Sequence, residues 1–225
     1  MFRRNFVLAS SSFLLFSPTQ SLSNEFSALT EFDIMWRDLN IGYSKITVSG
    51  KNQKFYTDID VLINVKILGF NFFHYKLNCS EEWKNKKLIS ISSFSKSNNS
   101  KYFVEGQRVE NGFKVKGSAF EGVLEDNIGT TSYFTPDFLK RKVWLSTQDG
   151  KPLEINSNLI SKEKISFLED IEEVNNFEIR GDLQLNLLYN SSNEWVGSTF
   201  TAGGSTVSFI LKRKEGNINN IWNML

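Results

Sequence analysis

The residues best suited to nucleophilic chemistry are a single cysteine, Cys79, and a single histidine, His74. A cysteine nucleophile needs a base within hydrogen-bond reach, and histidine is a common partner. The two residues are five positions apart, and an odd separation along a β-strand places side chains on opposite faces of the sheet. We therefore expect a buried thiol and an ordinary sheet histidine rather than a catalytic pair.

The acidic residues and the possible metal ligands do not have the spacing of a metal site or of an acid–base pair. One Cys and one His cannot supply the several ligands of a zinc site. The acidic cluster at 169–173 lacks the ligand spacing and turn glycine of a calcium loop, and Glu81 and Glu82 face opposite sides of a predicted strand. No GxSxG, P-loop or dinucleotide fingerprint occurs. We predict no catalytic residue, no metal site and no cofactor.

Two segments have the composition of a ligand-contact surface. In ILGFNFFHYK (67–76), apolar residues occupy both faces, and Gly69 and Asn71 indicate a turn. This stretch is either an apolar loop tip or a strand buried on both faces, and the cost of exposing contiguous Phe favours burial. The string 130–133 either orients a polar head group or caps a sheet edge. The predicted ligand contacts are Phe70, Phe72, Phe73, Tyr75, Trp83, Thr130, Thr131, Ser132 and Tyr133.

The charge balance excludes one class of partner. The 225 residues include 26 Lys and Arg against 25 Asp and Glu, whereas nucleic-acid binding requires a basic surface. Hydrophobic residues make up 40% of the chain, which is enough for a core. Only three prolines interrupt a sequence rich in Phe, which favours long strands.

The N-terminus has the order of a secretory signal. Arg3 and Arg4 precede an apolar stretch from Phe6 to Phe16, and small residues at 21 and 23 follow at the positions a signal peptidase recognises. The stretch is too short to span a membrane, and no later run reaches that length. RRNFVL also resembles a twin-arginine export signal, with Phe2 replacing the usual polar residue. We expect a periplasmic protein that does not span the membrane.

Period-two alternation after residue 30 indicates half-buried β-strands. The longest such row consists of Phe55, Thr57, Ile59, Val61, Ile63 and Val65. Asn111-Gly112 predicts a type I′ hairpin, Asp149-Gly150 predicts a second hairpin, and Gly203-Gly204 predicts a turn or bulge. Thr135-Pro136-Asp137 is typical of a helix start, whereas residues 161–174 fit either a strand or a helix.

The pattern predicts a mainly β protein: a single curved antiparallel sheet or an unclosed barrel with one or two short helices. The predicted divisions are a signal peptide at 1–23, a single β domain at 24–214 and a loose C-terminal tail at 215–225. Ile218, Ile221, Trp222 and Leu225 have the spacing of a short amphipathic helix within that tail.

Two longer strings resemble a bacterial family of exported domains of unknown function. These are TTSYFTPDFLKRKVWLSTQDGK (130–151) and RGDLQLNLLYNSSNEWVGSTFTAGGSTVSFIL (180–211), and FDIMWRDLNIG with EEWKNKKLISI extends the likeness over nearly the whole mature chain. The chain departs from the family pattern at Phe134, where Trp is usual, and at Asn190, where Asp is usual. More distantly, the chain is similar to the curved, unclosed sheets of periplasmic lipoprotein carriers.

The resemblance implies location and architecture but no catalytic residues. We expect a non-enzymatic binder or carrier of an apolar ligand, such as a lipid, a lipoprotein-like client or an apolar peptide. The alternatives are a scaffold in an envelope complex and, less favoured, a periplasmic hydrolase. The sequence determines neither the ligand nor the oligomeric state.

Residues 1–30 fused to a reporter that functions only in the periplasm should export it, because the charge, apolar run and small residues follow the order of a signal peptide. Replacing Arg3 and Arg4 with Lys would separate the twin-arginine route from the general route, since only the former requires arginine. A reporter that remains in the cytoplasm would contradict the export prediction.

Overall fold

The computed structural model describes residues 26–51, 53–67, 70–167 and 170–224. The predicted signal peptide at 1–23, together with Gly69, Glu169 and Leu225, lies outside the described residues. No helix within the described ranges is long and apolar enough to cross a bilayer.

The described residues are mainly β-strand, as predicted, and form one curved sheet that does not close. The strands are β1 (Phe26–Trp36), β2 (Leu39–Lys51), β3 (Lys54–Ile67), β4 (Phe70–Lys84), β5 (Lys87–Ser97), β6 (Ser100–Val109), β7 (Gly112–Gly117), β8 (Glu121–Leu124), β9 (Gly129–Thr130), β10 (Val143–Leu145), β11 (Pro152–Phe167), β12 (Asp170–Gly181), β13 (Leu185–Asn190), β14 (Trp195–Ala202) and β15 (Ser205–Glu215). A 3-10 helix spans Pro136–Lys140, and the helix α1 spans Ile218–Asn223.

The strand order places the first and last described strands in the middle of the sheet. Strands β1 to β8 follow one another as antiparallel neighbours on one side, and β15 back to β10 do so on the other. The first and last strands, β1 and β15, pair antiparallel and join the two halves. The edge strands of the described sheet are β8 and β9, which are consecutive in the chain but are not paired with each other.

The antiparallel order defines two ends of the sheet. The β1–β2, β3–β4 and β14–β15 turns lie at one end, here called the upper end. The β2–β3 and β4–β5 turns lie at the opposite, lower end, where α1 also follows β15.

The predicted alternation is present in β3, the longest predicted row. Phe55, Thr57, Ile59 and Val61 are buried on the inner face, while Asp58 is exposed on the outer face. The segment 161–174, which fits either a strand or a helix by sequence, is strand in both its described parts.

The predicted hairpins form, but the first turns one residue earlier than expected. Val109 pairs with Gly112, so the turn residues are Glu110 and Asn111, and of the predicted pair only Gly112 has a positive φ, 144°. Gly112 is required for another reason, because a Cβ there would lie 2.2 Å from the Leu124 carbonyl oxygen of β8. The type I′ prediction for Asn111-Gly112 is therefore wrong.

The residues that follow the unpaired edge fold back into the curve of the sheet. This inner segment, residues 128–150, contains β9, the 3-10 helix and β10. Ser93 of β5 donates a hydrogen bond to the Thr147 carbonyl at 2.6 Å, and Tyr189 of β13 donates to the Tyr133 carbonyl at 2.7 Å. The inner segment therefore connects the two halves of the sheet from the inside.

The lower end is filled by aromatic rings. Trp222 of α1 lies 5.3 Å from Phe55 and from Phe134, and 5.4 Å from Trp83, measured between ring centroids. Its indole nitrogen donates to the Asp137 carboxylate at 2.8 Å. The predicted amphipathic helix in the tail is present, but residues 218–222 are packed rather than loose because this aromatic cluster provides a surface for Trp222.

Trp222→Ala should lower the free energy of unfolding by about 3–5 kcal/mol, because it removes a fully buried ring from the centre of the aromatic cluster. The matched control is Met224→Ala on the same segment, which is 60% exposed and should change stability by less than about 0.5 kcal/mol. Urea unfolding followed by circular dichroism measures both. Equal, small effects would show that the tail does not contribute to the core.

Candidate functional site

A cavity of about 330 Å³ lies between the inner face of the sheet and the inner segment. Its apolar lining residues are Ile46, Ile59, Val61, Ile63, Leu77, Leu153, Leu183, Leu185, Trp195, Phe200 and Phe209, with the ring of Tyr133. Its polar lining residues are Ser44, Tyr75, Thr131, Ser132, Ser146, Thr147, Gln148, Gln184 and Ser198. The volume is at the small end of the range typical of ligand pockets.

The apolar wall follows from strand register. Val61 of β3 pairs with Ser44 of β2 and with Leu77 of β4, so these three side chains project from the same face. One step nearer the upper end, Ile63 pairs with Tyr75. Inward residues of three adjacent strands therefore form one side of the cavity, and the inner segment forms another.

The cavity opens at the upper end of the sheet. Gln184, in the connection between β12 and β13, is exposed, and Ile63, Tyr75 and Phe200 near the upper strand ends are half-buried. Lining residues closer to the lower end, such as Ile46, are fully buried. A ligand would therefore enter from the upper end.

Several polar side chains of the lining have no hydrogen-bond partner among the described residues. Among the described residues, no hydrogen bond engages the side chains of Ser44, Ser198, Tyr75, Gln148 or Gln184. Burial raises the pKa of the Tyr75 hydroxyl well above its usual range, so it remains a neutral donor. These groups are available to a bound molecule or to water.

Below the cavity, the carboxyl of Glu81 is held in a buried hydrogen-bond network. Its Oε2 accepts from Trp83 Nε1 at 2.9 Å, from Thr57 Oγ1 at 3.2 Å and from Ser132 Oγ at 3.4 Å. Its Oε1 has no partner within the described structure. Burial raises the pKa of Glu81, and these hydrogen bonds oppose the rise.

The buried cation nearest this network is Arg141, which is satisfied by other groups. Its guanidinium donates to the carbonyls of Ile128 and Lys86 and lies 5.0 Å from the Phe138 ring. Desolvation lowers the pKa of Arg141 to about 10, which leaves it charged at neutral pH. Arg141 thus anchors the start of the inner segment rather than forming a direct ion pair with Glu81.

The predicted contact residues divide between the cavity and other places. Tyr75, Thr131, Ser132 and Tyr133 line the cavity, so residues 131–133 border it while the string also forms a local hydrogen bond between Thr130 and Ser132. The other predicted residues do not line it: Trp83 lies in the lower aromatic cluster, Thr130 bonds Ser132 at 2.6 Å, Phe72 is 70% exposed on the upper hairpin, and Phe73 packs against the core. Nothing is described of the surroundings of the Phe70 side chain.

The cysteine and histidine do not form a pair. Cys79 faces the core, whereas His74 lies five residues away on the opposite face of β4. Burial raises the pKa of the Cys79 thiol well above its usual range, which keeps it protonated and unreactive.

Sequence reasoning missed the part of the lining contributed by β13, β14 and β15. Leu185, Trp195, Ser198 and Phe209 come from these strands. Alternation along the segment identifies inward residues such as Ser198 and Phe200, but it does not reveal that they face β3 across a cavity. The inward position of Glu81 was also missed, although the sequence signals it: Glu81 is two residues from both Cys79 and Trp83, so all three side chains lie on the same, buried face of β4.

A family model for a domain of unknown function, DUF6134, matches residues 32–212. The chain therefore belongs to that family. No curated protein matches the sequence. Neither the family nor the structural neighbour described next indicates an enzymatic family.

The fold is similar to the crystal structure of a β-barrel-like protein of another domain of unknown function, DUF1849, from Brucella abortus. The TM-score is 0.59, the sequences are 8% identical, and the match covers 84% of this chain and 97% of the other. At this identity the likeness establishes the fold alone, and it agrees with the unclosed, curved sheet.

The stability contributed by Glu81 should depend on pH. A carboxyl with a raised folded-state pKa contributes its full stability below the unfolded pKa, about 4.3, and that contribution is lost as the pH rises through the folded pKa. Glu81→Gln cannot ionise, so the free energy of unfolding of the wild type should fall relative to this variant between about pH 4 and neutrality.

Urea unfolding at a series of pH values tests this expectation. Glu82→Gln is the control, because Glu82 pairs with Lys54 at 2.7 Å on the outer face and should not reproduce the trend. A constant difference in the free energy of unfolding between the wild type and Glu81→Gln across the pH range would contradict a raised pKa of Glu81 in the folded protein.

Proposed function

We propose that this DUF6134 protein is a non-enzymatic periplasmic binder or carrier that holds an apolar ligand, a lipid or a lipoprotein-like segment, in the cavity at the upper end of its sheet. The observation that carries the proposal is the cavity itself, about 330 Å³ with walls of aliphatic and aromatic side chains. A soluble protein rarely leaves such a space unfilled within its own core, since interiors are close-packed. The N-terminal signal order supports the periplasmic location.

The chemistry of the cavity favours binding over hydrolysis. Among the described lining residues, no Asp, Glu, His, Lys or Arg is present, so no acid–base pair faces the space. Glu81 is sealed behind Ser132, and Cys79 and His74 are on opposite faces of β4. A periplasmic hydrolase therefore lacks support from these side chains.

One observation favours a scaffold or interaction role as a second candidate. Phe94 of β5 and Phe103 of β6 pair directly across the outer face and are 51% and 40% exposed. Exposed aromatic pairs of this kind are common where a protein contacts a partner. This surface faces away from the cavity, so the two roles are compatible.

The apolar probe N-phenylnaphthylamine should bind the wild-type protein at one saturable site with enhanced fluorescence. Val61→Trp should weaken binding at least about tenfold, about 1.4 kcal/mol, because the larger side chain occupies the cavity. The matched control is Leu62→Trp on the opposite face of the same strand, which should bind as the wild type does.

Circular dichroism confirms that both variants are folded, and native mass spectrometry of freshly purified protein tests for a co-purified lipid. Absence of probe binding to the folded wild type, together with no co-purified lipid, would overturn the proposed function. Equal binding by Val61→Trp would place the probe elsewhere on the protein.

A further inference from the structure

The cavity combines apolar walls with neutral hydrogen-bonding groups. Ser44 and Ser198 lie within the buried part of the lining, Tyr75 and Gln148 are half-buried, and Gln184 lies at the opening. None of these side chains is engaged by a described residue. Polar groups placed in this way within an apolar pocket orient a ligand and select its head group.

The cavity offers nothing that compensates an ionised head group. No charged side chain lines it among the described residues. Burying an unpaired charge is costly, whereas a buried alcohol, ester or amide needs only the hydrogen bonds that serine, tyrosine and glutamine provide. The lining therefore suits a neutral head group.

The electrostatic surroundings also disfavour an anion. Burial, with a smaller contribution from the negative charge of Asp149 in the turn between β10 and β11, raises the pKa of the Tyr75 hydroxyl in the lining. Glu81, which accepts a hydrogen bond from the lining residue Ser132, is itself an acid and cannot pair with an anionic head group. A carboxylate at Tyr75 would meet a like charge and no lining cation.

The volume limits how much of a ligand is enclosed. At about 30 Å³ for each water- or methylene-sized group, a space of about 330 Å³ holds about ten such groups. This is one medium-length acyl or alkyl chain rather than the two chains of a phospholipid. The remaining part of a longer ligand would extend out of the cavity through the upper opening, at the end of the sheet where Phe72 is exposed.

We infer that the cavity selects a single-chain amphiphile with an uncharged head group, such as a fatty alcohol, ester or amide, over the corresponding ionised fatty acid. The inference rests on the proposed function and specifies the ligand class of the same site. The unengaged hydroxyl and amide groups hold the head group by hydrogen bonds, and the inward residues of β2, β3 and β4 contact the chain.

Displacement of N-phenylnaphthylamine from the full mature protein tests the inference with three ligands of equal chain length: decanol, methyl decanoate and decanoate. At pH 8 decanol and methyl decanoate should bind at least about tenfold more tightly than decanoate. At about pH 4 a large part of the acid is uncharged, so the decanoate disadvantage should shrink while decanol binding changes little. Circular dichroism at both pH values verifies that the protein stays folded.

A charge variant tests the physical reason directly. Gln184→Lys places a cation at the exposed opening and should strengthen decanoate binding at pH 8 severalfold without strengthening decanol binding. Gln184→Met, which removes the amide without adding charge, is the control and should not rescue decanoate.

The outcomes separate the inference from the function on which it rests. If neither the probe nor any of the three ligands binds, the proposed function fails. If decanoate binds at pH 8 as tightly as decanol, or if Gln184→Lys leaves their ratio unchanged, selection for a neutral head group is overturned while apolar-ligand binding stands.

Discussion

The structure depends on how the inner face of an unclosed sheet is covered. A closed barrel pairs its edge strands and fills its interior with side chains from opposite walls. Here β8 and β9 are successive in the chain but are not paired, and the residues that follow turn inward. The inner segment, 128–150, covers the inner face that an opposite wall covers in a closed barrel. Ser93 and Ser95 hold this segment by donating hydrogen bonds to the carbonyls of Thr147 and Gln148.

Side-chain size along the inner segment determines where the interior is packed and where it is hollow. Toward the lower end, Phe134 and Phe138 pack against Trp83 and Trp222 at ring-centroid distances of 5.1 to 6.1 Å and form a dense aromatic cluster. Toward the upper end, the same segment lines the cavity with small hydroxyl residues, Thr131, Ser132, Ser146 and Thr147. The hollow is thus encoded by small hydroxyl residues where large rings would close it.

Local patterns in the sequence predict most of the sheet but not the enclosure. Alternation in residues 55–65 identified a half-buried strand because each inward residue is apolar or small. The sequence predicts a loose tail at 215–225, whereas Trp222 is packed against rings distant in sequence. A six-residue helix has little stability alone, so such contacts, which local patterns do not reveal, determine its position. For the string 130–133, the sequence left open whether it contacts a ligand or caps a sheet edge. The structure shows both a local hydrogen bond and lining residues, and which side chain does which depends on what faces each side of the segment.

Two buried ionisable side chains near the cavity, Glu81 and Arg141, have uncharged hydrogen-bond partners. Burial raises the pKa of Glu81, and its Oε2 accepts hydrogen bonds from hydroxyl and indole donors. Arg141 is satisfied by main-chain carbonyls and aromatic rings, which are also uncharged. Neither residue offers a free charge to the cavity, and the polar groups that do face it are hydroxyls and amides. An ionised head group would be an uncompensated charge in that space, so the cost of burying a charge, which raises the pKa of Glu81, also favours a neutral ligand in the cavity.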